Sequence, residues 1–152
     1  WRNVPIADHS GDFGGILFQG IPAYHDTHLG IQMGIITMLR FQWGGMDVVH
    51  LGDLGVIPND EQQALLGTPD ILLLPVGGTY TLGPEEALET VRKLNPRWIV
   101  PMHGYHPNID LPLRPVSDFV DIWDGDVHTS QASTISLLTK PKNPTVVYLD
   151  IL

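Results

Sequence analysis

The apolar positions change character along the chain. In its first third they gather into runs of β-branched and aliphatic residues at Asn3 to Ala7, Gly15 to Tyr24, Ile35 to Trp43 and Met46 to Leu51, each bounded by Gly or Asp. That is the pattern of successive strands. Gly44 and Gly45 separate the last two runs by the length and chemistry of a tight hairpin turn, so Met46 is expected to open a strand antiparallel to Thr37 to Trp43. The pattern then alternates. Pro58 to Leu66 predicts a short helix, Asp70 to Pro75 a buried strand of continuous aliphatics, Pro84 to Leu94 a second helix and Arg97 to Pro101 another buried strand. The second helix is the most fully specified. Gly83 precedes Pro84 at its first position, Glu85 and Glu86 occupy the first turn, and Ala87, Leu88, Val91 and Leu94 share one apolar face. After a Pro-rich loop, Val116 to Trp123 predicts a third helix, with Thr134 to Thr139 and Thr145 to Leu152 as closing strands.

Strands followed by β-α-β units predict a layered α/β (α+β) fold, helices packed on sheet, in a single domain over residues 1–152. One local echo occurs: His9 to Gly14 and His50 to Gly55 both fit H-x-G-D-x-G. Around His9 and Asp12, the glycines Gly11, Gly14 and Gly15 suit a turn between strands.

Charge and composition then exclude several functions. With 17 acidic against 8 basic residues the formal charge is -9, so the attraction that drives phosphate-backbone binding is missing and nucleic acid is not an expected partner. No apolar run reaches the roughly 18 residues of a membrane span. The absence of cysteine excludes a disulfide framework, suits a cytoplasmic protein, and requires any metal site to be built from imidazole and carboxylate. Trp1 stands where a translated chain begins with Met, and nothing resembles a signal-peptide remnant, so the chain is expected to be a fragment or processed piece.

Three polar residues stand at the ends of predicted core strands, where an α/β scaffold presents catalytic groups: His25, Asp53 and His103. Imidazole and carboxylate are suitable zinc ligands. Their wide spacing, however, matches no local metal signature. Each also has an ordinary structural reading, the histidines as hydrogen-bonded residues and Gly52-Asp53 as a turn. Spacing alone leaves both readings open.

Four blocks carry a family resemblance: Pro22-Ala23-Tyr24-His25-Asp26; Val49-His50-Leu51-Gly52-Asp53-Leu54-Gly55; Leu74 to Ala87, with Pro75-Val76-Gly77-Gly78-Thr79-Tyr80 at its start; and Asn95-Pro96-Arg97-Trp98-Ile99-Val100-Pro101-Met102-His103. In this order they resemble about the C-terminal two thirds of a metallo-β-lactamase-fold hydrolase, in the branch that includes the L-ascorbate-6-phosphate lactonase-like proteins. The resemblance implies an αββα sandwich and a zinc-dependent hydrolase, with two zinc ions when complete and manganese or iron as substitutes. Hydroxide held by the metals would attack an ester, lactone or phosphodiester of a small-molecule substrate. It also implies roles: His25 on the first metal, Asp53 bridging both metals and acting in catalysis, His103 on the second. His50 would orient Asp53 or simply be packed, and Thr79, Tyr80 and Tyr105 would line the substrate pocket or belong to plain loops. His28 and His106 fall on neighbouring loops and are expected to be surface residues.

The family's H-x-H-x-D-H block is absent from the chain; His9-Ser10-Gly11-Asp12 and His25-Asp26-Thr27-His28 are the nearest approaches. The N-terminal strands and this block are therefore expected to be missing, and the chain alone to bind zinc weakly and hydrolyse little. An exposed sheet edge and inner face would then favour a homo-oligomer or a separate N-terminal fragment as partner. The competing expectation is a non-catalytic remnant or interaction module that keeps the fold without the metal centre. A nuclease of the same superfamily is disfavoured by the acidic balance.

Overall fold

Two glycine pairs turn the first strands. Gly14 and Gly15, at φ 67° and 85°, reverse β1 (Gly11–Phe13) into β2 (Ile16–Tyr24), and Gly44 and Gly45, at 57° and 78°, reverse β3 (Ile35–Trp43) into β4 (Met46–His50). Positive φ at both central residues is what a two-residue hairpin of matching twist demands. The computed structural model describes residues 10–130, 134 and 140–149.

From β4 onward each strand is reached through a helix or a long crossover. Helix α1 (Asp60–Leu66) leads to β5 (Ile71–Pro75), α2 (Pro84–Leu94) to β6 (Trp98–Met102), and α3 (Val116–Ile122) precedes β7 (Asp126–Ser130) and β8 (Thr145–Leu149). The strands form one mixed sheet in the order β1-β2-β3-β4-β5-β6-β8-β7, antiparallel as far as β4 and parallel after it. Because β2 and β4 are both antiparallel to β3, the chain leaves β2, β4, β5 and β6 at the same end of the sheet.

Register decides what each face carries. Ile21 opposes Met38, and on the same face Val49, Leu72, Ile99 and Val146 form a row across the parallel strands, beginning opposite Arg40. These apolar residues are all buried, and they form one core with Leu66 of α1, Ala87, Val91 and Leu94 of α2, and Phe119 of α3. Burial of each such Leu, Ile or Val is worth about 1.5–3 kcal/mol. On the opposite face Phe18, Phe41, Val48, Ile71 and Trp98 lie in register. Apart from Val48 these are only half-buried, and a hollow of ≈ 390 Å³ there is lined by Phe13, Phe18, Thr37 and Leu39.

The expected α/β architecture, the Gly44-Gly45 hairpin and the α2 boundaries are found as read. Helix α1 starts at Asp60 because Asn59 and Gln62 form a capping box, each side chain bonded to the other's backbone N–H. Strands β1 and β7 depart from the expected elements: Gly11–Phe13, expected as turn, pairs with β2, and Asp126–Ser130 is an exposed edge strand without apolar alternation. The predicted strands Asn3 to Ala7 and Thr134 to Thr139 lie, Thr134 aside, outside the described residues, as does the end of the last predicted strand. Among the described residues no helix is long and apolar enough to cross a membrane.

Candidate metal centre

His25 is the first residue after β2. Its N–H donates to Gly34 O (3.1 Å), while Gly55 N–H donates to Tyr24 O (3.0 Å). A Cβ on Gly55 would run into the backbone carbonyl of His25, so only glycine lets these two loops meet. The ring is held with Nε2 buried and without a hydrogen-bond partner among the described residues.

Asp53 follows β4 through Gly52, whose φ of 58° turns the chain, and its side chain is 53% exposed. His50, the last residue of β4, accepts from Gly52 N–H at Nδ1 (3.0 Å), which places the proton of its neutral ring on Nε2. Burial lowers the His50 pKa, opposed by the nearby Asp53 carboxylate, so the neutral ring is favoured. Through that bond His50 braces the turn carrying Asp53.

His103 follows β6 in the left-handed region at φ 56°, unusual for a residue with a Cβ. Its carbonyl lies against Gly77, where a Cβ would collide with it. Its Nδ1 is buried without a partner among the described residues, and its Nε2 stands 3.9 Å from Asp53 Oδ1, too long for a hydrogen bond.

The loop after β5 is largely satisfied by itself. Gly78, Tyr80 and Thr81 donate their N–H groups within the loop, to Leu82 O, Gly78 O and Gly78 O. Thr79, at φ 59°, spends its hydroxyl on Pro112 O (2.6 Å). Tyr80 and Tyr105 are exposed, and Tyr105 N–H and Arg114 N–H tie the long loop after β6 to Arg114 O and Gly77 O. His28 Nδ1 lies 3.4 Å from Thr27 Oγ1, and His106 Nδ1 accepts from Asn108 N–H.

Thus His25, Asp53, Thr79, Tyr80 and His103 are gathered at one end of the sheet, Asp53 and His103 within 3.9 Å of each other. Among the described residues no group of three or more His, Asp or Glu side chains converges on one point. A buried imidazole nitrogen without a partner costs about 1–3 kcal/mol. The orphaned Nε2 of His25 is therefore a nitrogen that a cation would satisfy, and with Asp53 and the His103 Nε2 that faces it the end of the sheet offers a nitrogen-and-oxygen donor set that suits zinc, manganese or iron.

Residues 4–103 match the family model described as a Beta-lactamase superfamily domain. A solved structure from Thermotoga maritima, assigned to the metallo-β-lactamase superfamily, is 34% identical, superposes with a TM-score of 0.76, and is matched over 93% of this chain and 70% of that one. The chain belongs to this superfamily. UPF0173 metal-dependent hydrolases from Pelotomaculum thermopropionicum and Staphylothermus marinus are 34% and 38% identical over 60% and 54% of the chain. The chain spans 42% and 34% of their lengths.

For this superfamily member, residues that sequence reasoning passed over support the candidate ligands. Gly55 and Gly77 admit the carbonyls of His25 and His103. Asp26, buried beside His25, accepts four backbone N–H bonds: His28 and Gly30 to Oδ1, Gln32 and Met33 to Oδ2. Those bonds, the one to Met33 above all, hold its pKa below the usual carboxylate value despite burial. The sequence signal was an Asp opening a loop with Gly30 and Gly34, the composition of an Asx turn.

Proposed function

We propose that the protein is a zinc-dependent hydrolase of the L-ascorbate-6-phosphate lactonase-like branch, and that this chain contributes His25, Asp53 and His103 to its metal centre. The observation that carries this reading is the approach of His103 Nε2 to within 3.9 Å of Asp53 Oδ1, at the sheet end where His25 keeps its buried Nε2 without a partner among the described residues. The Thermotoga maritima relative carries the provisional name of Zn-dependent hydrolase, and the curated relatives are named metal-dependent hydrolases.

Divalent ions bound there would acidify water and polarise the scissile group of an ester, lactone or phosphodiester. The chain's own residues do the rest. Asp53, half-exposed beside His103, would help hold the metal and orient the attacking water. His50 keeps the Asp53 turn in place, Gly55 and Gly77 fix the histidine backbones, and Tyr80 and Tyr105 border the substrate.

The remaining ligands are supplied by sequence outside this chain, so the chain alone binds metal weakly and is inactive. The half-buried apolar sheet face is where a further layer of protein, from the same polypeptide, a separate fragment or a second copy, would pack. Asp53→Ala in the complete protein should abolish metal-dependent turnover with the fold intact; unchanged turnover removes Asp53 from the mechanism. The rival reading, an interaction module without a metal centre, is favoured by the lack of a three-ligand cluster among the described residues. It predicts no stoichiometric metal in the complete protein.

A further inference from the structure

The loop from Asp26 to Gly34 is built to hold apolar side chains in water. Asp26 is its one charged residue, and that carboxylate is buried and occupied by the N–H groups of His28 (2.8 Å), Gly30 (3.1 Å), Gln32 (3.1 Å) and Met33 (2.7 Å). Further bonds, Ile31 N–H to His28 O and Gly34 N–H to Gly30 O, close the loop on itself. With the donors turned inward, Leu29 and Ile31 point outward, 69% and 70% exposed, with Met33 at 46%. Leu29 does this at φ 57°, a conformation a bulky residue rarely adopts. A tight, strained loop that displays aliphatic side chains runs against its own stability, and such costs concentrate at functional sites.

Its place in the fold gives the loop a task. It starts at His25 and returns to it through His25 N–H to Gly34 O. The loop after β6, at the same end of the sheet, also exposes apolar residues, Ile109 and Leu111. Arg114 is the one Lys or Arg in the loops after β2, β4, β5 and β6, and it is held by Glu85 (3.0 Å) and Asp118 (2.8 Å). The rim thus offers hydrocarbon and little to hold an anion.

We infer that the 26–34 loop is the specificity element of the site and seats the aliphatic chain of an ester or lactone substrate. This rests on the reading of His25 as part of the catalytic centre. Binding of straight-chain carboxylates from acetate to decanoate, the hydrolysis products of such substrates, should be measured by calorimetry on the complete protein. The dissociation constant should fall by up to about fourfold per methylene, the equivalent of ~0.8 kcal/mol for each buried CH₂. The double variant Leu29→Ser, Ile31→Ser should flatten the series, with its melting temperature measured beside the parent's to show that the fold is kept. A flat series in the parent, or an equally steep one in the variant, overturns the inference. Turnover of acetate and decanoate esters by the metal-loaded protein then separates the two readings. Equal kcat/KM for both esters defeats the loop assignment while leaving the hydrolase standing. Loop-dependent decanoate binding without turnover of either ester sustains the apolar seat and defeats the ester-hydrolase reading.

Discussion

Replacing Gly55 by alanine tests how the candidate centre is held together. The new Cβ would overlap the carbonyl of His25 and lie 2.8 Å from Asp26 N. All of the obstructing atoms are backbone, so no side-chain rotation relieves the clash. An ordinary carbon-to-oxygen contact of roughly 3.3 Å requires the two loops to part by on the order of 1 Å. That movement costs about 1–3 kcal/mol of overpacking and a further ~0.5–1.5 kcal/mol if the bond from Gly55 N–H to Tyr24 O is lost. In a protein of this size 1 kcal/mol is worth about 2–4 °C, so the melting temperature should fall by about 3–18 °C. Because His25 moves with the loop, affinity for Co²⁺, followed by absorption on the complete protein, should drop about 10–100-fold. Gly14→Ala is the control. Open space surrounds its Cβ position, and its positive φ (67°) adds a backbone strain that Gly55 does not carry, so it reports strain without a clash. A Gly55→Ala protein that melts with this control and binds cobalt as the parent does would refute the steric argument.

Other outcomes follow from the charged groups. Burial lowers the His50 pKa, so the unfolded chain binds that proton more tightly; stability should hold above about pH 6.5 and decline as pH falls through the lowered folded value. His50→Gln should remove this part of the melting profile between about pH 7.5 and 5, and an identical profile would speak against a buried neutral ring. Asp70 accepts from Lys140 (2.9 Å) and from Asp47 N–H (3.1 Å) and pairs with Arg97 (3.0 Å), and the Lys140 bond chiefly lowers its pKa. The stabilisation is therefore present above the ordinary Asp value and lost as pH falls through the folded one. Asp70→Asn should melt lower than the parent at neutral pH but together with it near about pH 2; a difference that persists in acid would show another origin. Asp26→Asn should open the 27–33 backbone to limited proteolysis, and an uncut loop would mean the four N–H bonds are not what orders it.

The parts legible in the sequence were those whose cause is local. Gly44-Gly45 announces a hairpin because positive φ is a property of the residues themselves, and Pro84 with two glutamates marks a helix start for the same reason. Strand β7 escaped because Asp126–Ser130 has no buried face to impose alternation. The candidate ligands were reached through motif order, whereas the residues that brace them were not. Gly55 and Gly77 matter only through carbonyls that arrive from other strands, and the partners of Asp26 are backbone N–H groups, which every residue but proline carries.

The backbone bonds across the site form a chain of their own. Gly55 bonds to Tyr24, Leu82 to Leu54, Val76 to Met102, Arg114 to Gly77 and Tyr105 to Arg114, so each loop at this end is tied to at least one other. Slow amide exchange should therefore be shared by these protons, with similar opening energies, as in a cooperative unit rather than four independent flaps. Substrate entry would then have to come from side-chain rearrangement over a stiff floor, and an inserted residue in one loop would be felt by all of them.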